Sequence, residues 1–270
     1  MRRAALLATC LAALLAAPGC GQASGVGANV MATRSLPPLD DHWTGANAQL
    51  AKAAARGDAS GIRDAIRAGA DVNAVSAEGM PMILWPALGG SLEGFAALLD
   101  AGANAEAAFD GDAIATEMLV RLEDQRFLGE ALARGADPNA VGSNTEPLIW
   151  KAHFADRWDA IQTLIESGAD VDAFNHGEHG ATLLANYSRG AYDKAIWLMK
   201  RGANPTWRIQ TAPPGYEDRV GAMPILENIY YYEVDAEAFP EIARAQREAQ
   251  ELARDKGYPV PPRPKRYALR

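Results

Sequence analysis

Cysteine is almost absent: the 270 residues contain two, Cys10 and Cys20. No disulfide framework can hold the chain beyond Cys20, so the fold must rest on packing alone. Histidine is nearly as scarce, at four residues, and aromatic residues make up 7% of the chain. No glycine-rich phosphate loop, G-x-S-x-G elbow or catalytic cysteine motif occurs. No enzyme class therefore has a positive signal, and no cofactor is expected. Basic residues are outnumbered, 26 against 34 acidic ones, for a net charge of −8. That sign disfavours nucleic acid and anionic lipid, both of which select clusters of Lys and Arg. A basic protein partner is the favoured complement.

Long apolar runs are also missing, with one exception at the N-terminus. Arg2 and Arg3 precede an Ala- and Leu-rich stretch from Ala4 to Ala17, closed by Ala17-Pro18-Gly19-Cys20. That order reads as a secretory signal over residues 1–19. At 1.5 Å per residue the stretch reaches about 21 Å, short of the roughly 30 Å hydrocarbon core. The small residues before Cys20 resemble the lipobox of bacterial lipoproteins. That resemblance implies acylation of Cys20, with ordinary signal cleavage nearby as the alternative. Gly21, standing where an inner-membrane lipoprotein has Asp, implies the outer membrane, facing the periplasm. The membrane is then reached through the lipid only. Without Arg2 and Arg3 the balance is 24 basic against 34 acidic residues, a formal charge of −10.

Residues 20–44 read as a tether, rich in Gly, Ala and Ser over residues 21–38. Residues 259–270, with four prolines and Lys265, Arg266 and Arg270, read as an extended, solvated basic tail. Between them, residues 45–258 carry a repeat. Gly69-Ala70-Asp71, Gly102-Ala103-Asn104, Gly135-Ala136-Asp137, Gly168-Ala169-Asp170 and Gly202-Ala203-Asn204 are spaced by 33, 33, 33 and 34 residues. A fixed period of this size marks a stacked architecture.

The residues seven, four and three places before each glycine are apolar. They are Ile62, Ala65 and Ile66, then Phe95, Leu98 and Leu99, then Leu128, Ala131 and Leu132, then Ile161, Leu164 and Ile165, then Ala195, Leu198 and Met199. This i, i+3, i+4 stripe is one face of a helix. The glycine suits the left-handed residue that ends a helix, and Asp or Asn two places on can close a turn through its side chain. Gly57, Gly90 and Gly190, twelve residues before a marker glycine, split their units into two short helices. From residue 223 the chain runs through Tyr230, Tyr231 and Tyr232 into a long helix over 236–256, with Ile242, Ala245, Ala249 and Leu252 as its apolar stripe.

Two helices and a turn per 33 residues resemble the ankyrin repeat. Val72-Asn73-Ala74 and Val171-Asp172-Ala173 are similar to that family's turn, and Met80-Pro81-Met82, Glu146-Pro147-Leu148 and Met223-Pro224-Ile225 resemble its T-P-L opening. The histidine that comes after T-P-L in the family is missing. The resemblance implies an all-α ankyrin-repeat solenoid of about five repeats with a C-terminal capping helix, acting as a monomeric binder of another protein.

Arrays of this kind bind with loops and inner helices, where aromatics and Arg carry the energy. The loop tips in register supply the candidate contacts Phe109, Asp110 and Asp112, then Asn175, His176, Glu178 and His179, and then Trp207, Arg208, Tyr216, Glu217 and Asp218 in the longest loop. Trp85, Trp150 and Trp197 fall at helical positions and read as packing. His176 and His179 could also be taken as a metal pair in a small hydrolase. Their spacing of three, broken by Gly177, does not match the zinc pattern, in which histidines stand four apart on a helix. Lipid-anchored ankyrin proteins of bacteria look like the immunity proteins that neutralise type VI secretion effectors, phospholipases among them. This chain is read as such a protein or, alternatively, as an envelope scaffold for self proteins.

Overall fold

The computed structural model describes residues 39–109, 111–175, 181–210 and 216–264. Among these the chain is all-α in class, with twelve α-helices and one two-stranded ribbon. The signal segment 1–19, Cys20 and most of the tether lie outside the described residues, as does the tail from 265. The chain divides into two compact units after Ala169.

The first unit contains α1 (Gly45–Ala55), α2 (Ala59–Arg67), α3 (Leu84–Leu88), α4 (Leu92–Asp100), α5 (Ala115–Arg121), α6 (Arg126–Ala133), α7 (Leu148–Phe154) and α8 (Trp158–Glu166). Strands β1 (Ala108–Phe109) and β2 (Ala113–Ile114) lie between α4 and α5. Within it α2 packs on α4, α4 on α6, and α6 on α8, while α1 packs on α3 and α5 on α7. The second unit contains α9 (Leu183–Tyr187), α10 (Tyr192–Lys200), α11 (Pro224–Tyr231) and α12 (Pro240–Asp255), with α9 against α11 and both α10 and α11 against α12.

One stop signal ends five helices. Gly69, Gly102, Gly135, Gly168 and Gly202 all have φ between +93° and +100°, the left-handed region that a Cβ disfavours. At each, two bonds close the last turn. Gly69 N–H donates to Ile66 O and Ala70 N–H to Ala65 O, and the same pair recurs at 102/103, 135/136, 168/169 and 202/203. This is the Schellman arrangement, which satisfies carbonyls that the helix leaves open. The apolar stripe works as expected: the residues seven and four places before each glycine are buried in all five units.

The short breaks between paired helices have their own chemistry. Gly57 and Gly90 turn left-handed between α1 and α2 and between α3 and α4. Asp58 and Ser91 then cap the next helices, accepting from Gly61 N–H at 2.9 Å and Gly94 N–H at 3.2 Å. Where α7 meets α8 no glycine is present, and Asp156 takes the left-handed conformation itself, at φ +54°.

Three boundaries differ from expectation. A 3-10 turn at Leu39–Asp41 leads into Trp43, which is buried against Trp85 at 6.1 Å, so the folded region begins before residue 45. The last helix starts at Pro240 rather than 236, because the Asp235 side chain accepts the N–H groups of Glu237 and Ala238 in a separate turn and Pro240 opens the helix. It buries Ala243, Ala249 and Ala253, small residues that allow close approach, while Ile242, Ala245 and Leu252 are half-buried. The tail is not wholly solvated either: Pro261 and Pro264 are buried, and Tyr231 Oη donates to Pro261 O at 2.7 Å.

Candidate functional site

The turn after each marker glycine is built from the residue two places on. Asp71, Asn104, Asp137, Asp170 and Asn204 each accept, through Oδ1, the backbone N–H two residues further along, at 2.8–2.9 Å. Neighbouring turns are then joined. Asn73 Oδ1 accepts Asn104 N–H at 2.7 Å while its Nδ2 donates to Gly102 O at 3.2 Å, and Glu106 Oε1 accepts Asp137 N–H at 2.7 Å. In the second unit Asp172 accepts Asn204 N–H at 3.0 Å. Partial burial pushes the Asp172 carboxyl above the usual carboxylate range, against the lowering effect of that bond.

Past each turn the first unit forms a small hairpin. Val75 pairs with Pro81, Ala108 with Ile114, and Val141 with Pro147, all antiparallel. Met82 N–H donates to Ala74 O, Ala115 N–H to Ala107 O and Leu148 N–H to Ala140 O, so the three hairpins share one register. The first residue of each pair faces solvent: Val75 is 53% exposed, Val141 is 49% exposed, and Ala108 is exposed. These positions recur every 33 residues, and Phe174 and Trp207 continue the spacing in the second unit, with ring centroids 6.0 Å apart.

The predicted contact residues separate by environment. Phe109 is 5% exposed, a correction to its reading as an exposed contact. It stands next to Ala108 on a two-residue strand, and alternation turns its side chain inward. Asp112 is exposed, and its Oδ2 accepts Asn144 N–H at 2.9 Å across to the next hairpin. Asn175 is half-buried and accepts Ala181 N–H, closing its own loop. Asp110, His176, Glu178 and His179 lie outside the described residues. In the longest loop, Ile209 N–H donates to Ala222 O and Gly221 N–H to Ile209 O, and Arg208 Nη1 donates to Gly221 O at 2.7 Å. Arg208, Tyr216, Glu217 and Asp218 are exposed there, while Trp207 is half-buried. Trp85 and Trp150 are buried as expected; Trp197 is half-buried beneath Arg201, whose guanidinium lies 3.4 Å from the ring centroid. Tyr232 is the exposed member of the tyrosine run.

A buried charged cluster lies beyond what the sequence motifs indicate. Glu117 on α5 and Lys151 on α7 have side chains 2% and 6% exposed, and lie 3.3 Å apart. Ser143 completes the set: its N–H and hydroxyl donate to Glu117 at 2.9 Å, and Lys151 Nζ donates to its Oγ at 2.7 Å. Arg121 approaches Glu117 at 3.4 Å. A serine beside a lysine invites comparison with a nucleophile and its base. Here the lysine is ion-paired and donates to the hydroxyl, and the hydroxyl donates to a carboxylate, so the lysine presents no lone pair to take the serine proton. The cluster instead fastens the 142–145 turn, in which Asn144 and Thr145 hold φ of +57° and +54°. A Cβ on Gly142 would meet Glu117 Oε2 at 2.6 Å. The one clue in the sequence is the placing of two charged residues, Glu117 and Lys151, among apolar neighbours on short helices.

In the second unit Arg219 pairs with buried Glu227, and Asn228 Nδ2 donates to Ser188 Oγ at 3.1 Å. Among the described residues no group of three His, Cys, Asp or Glu side chains could hold a metal, and no helix is long and apolar enough to cross a membrane. Compared with known proteins, the chain matches no family model and no curated relative.

Proposed function

We propose that this chain is an ankyrin-type repeat solenoid, exported and held to the envelope by lipid on Cys20, that binds another protein stoichiometrically and performs no catalysis. The carrying observation is the common register of turns and hairpins. Five Asx-closed turns come after five left-handed glycines, and the three hairpins of the first unit present the same position to water. In the first unit, hairpins that share one register and repeat their exposed residues suit recognition of an extended area on a macromolecule. The favoured partner is a secreted effector such as a phospholipase, neutralised by occlusion, which would make this chain an immunity protein.

The reading is tested by photo-crosslinking in the envelope from positions in the Trp207–Arg219 loop, and then by reconstitution of the recovered protein with the purified chain. A one-to-one complex in which the partner's activity is suppressed supports immunity. A one-to-one complex with a self protein that has no activity to suppress makes the chain a scaffold. Failure to form any complex removes the binding reading. Lipidation is checked separately: palmitate labelling should disappear in Cys20→Ala.

A further inference from the structure

The hairpin row of the first unit combines two independent properties. The first is apolar exposure in register. Val75, Ala108 and Val141 occupy the same place in three hairpins and all face solvent. Exposed hydrophobics scattered singly need no explanation, whereas these three recur at one place in successive hairpins and so offer the same apolar contact three times. The second is charge. Segments 71–81, 104–114 and 137–147 hold six Asp or Glu at described positions and no Lys, Arg or His at any position. Two of these carboxylates, Asp112 and Glu106, accept only backbone N–H groups in neighbouring turns, which leaves their charge in place.

Spacing then selects the shape of the occupant. Packed helices sit about 8–10 Å apart, and the hairpins advance with the helices they lead into. An extended chain in the polyproline II conformation has three residues per turn and rises about 3.1 Å per residue. Every third side chain therefore returns to one face roughly 9 Å further on and meets the next hairpin.

We propose that the row formed by Val75, Ala108 and Val141 docks an extended, Lys- or Arg-rich segment of a partner protein that carries an apolar side chain at every third residue. The inference rests on the protein-binding reading and adds to it the place and the chemistry of the contact. A second copy of this chain is a poor occupant, since it would bring the same acidic segments together.

The probe is a fluorescein-labelled peptide of four Lys-Ser-Val repeats, titrated into the full chain and monitored by anisotropy. It should bind, and V75D/V141D should weaken it at least about tenfold, because burying two valines contributes about that much or more. The direction is discriminating, since a purely electrostatic surface would bind the basic peptide more tightly after gaining two Asp. A peptide of the same composition with its valines consecutive should bind at least about fivefold more weakly, and Glu-Ser-Val repeats should not bind. Thermal unfolding checks the fold of the variant, and V75S/V141S replaces it if the Asp pair unfolds. Equal or tighter binding by the variant, equal binding of the two basic peptides, or no binding at all would each overturn the docking row. Self-association lost in V75D/V141D would also overturn it, by making a second copy the occupant. In every one of these cases the crosslinked partner still decides the wider protein-binding reading on its own.

Discussion

Asn73 and Asn104 stand 31 residues apart in the chain and 2.7 Å apart in space, the side-chain oxygen of the first holding the backbone N–H of the second. One amide side chain thereby ties two successive turns, since its nitrogen also donates to Gly102 O. Asn139 Nδ2 makes the corresponding bond to Gly168 O at 3.2 Å.

Asn73→Ala should therefore cost about 1–2 kcal/mol, the net worth of two hydrogen bonds between exposed groups. Asn73→Asp keeps the acceptor and should cost less. Urea midpoints measure both, and equal stability of N73A and the parent would show that the bridge contributes nothing.

Asp172 occupies the place of Asn73 and Asn139 but carries a carboxylate that partial burial disfavours. A carboxyl with a raised folded-state pKa adds stability at low pH that is lost as pH rises through that value. Asp172→Asn should accordingly stabilise the protein at neutral pH, and the gain should shrink as pH falls below the ordinary carboxylate range, where the parent is protonated in both states. A gain that grows on acidification would contradict the assignment.

For the Glu117–Lys151 pair, loss of one partner leaves the other charged and buried. Glu117→Ala should cost about 3–5 kcal/mol, whereas E117L/K151M should recover most of that, because burying a pair of charges is itself expensive. The cycle is completed with K151M, and simple additivity of the two single losses would argue against direct coupling.

Two glycines inside helices make opposite predictions. A Cβ on Gly94 in α4 would overlap the backbone carbonyl of Ala54 at the end of α1, while one on Gly129 in α6 meets nothing within 4 Å. Gly94→Ala should destabilise by about 3 kcal/mol through overpacking, and Gly129→Ala should stabilise by about 0.5–1 kcal/mol through helix propensity and a less flexible unfolded chain. Thermal melts of the two variants should move in opposite directions.

Gly94 and Gly129 also mark how far the amino acids alone can be read. Both lie at unremarkable helical positions, and only the distance to another segment tells them apart. The same holds for the candidate contacts. Tyr216, Glu217 and Asp218 belong to a loop whose length alone points to exposure, and they are exposed, whereas Phe109, one residue from exposed Ala108, is buried by the direction of a two-residue strand. The row Val75, Ala108, Val141 is visible in the sequence as a 33-residue spacing, but its exposure is not, because a loop residue's solvation depends on what packs behind it.

The features settled by the order of residues alone are those made within a few positions of one another. A glycine free to take positive φ, an apolar face recurring every three or four residues, and an Asx side chain within reach of its own backbone determine where helices end and turns close. These energies are local, so they can be summed along the chain. The pairing of Glu117 with Lys151, the inward Phe109, the burial of Pro261 under Tyr231 and the closeness of Gly94 to Ala54 join residues tens of positions apart or depend on the surface behind them. Those were decided by the tertiary structure, because desolvation and steric overlap exist only once distant segments share the same volume.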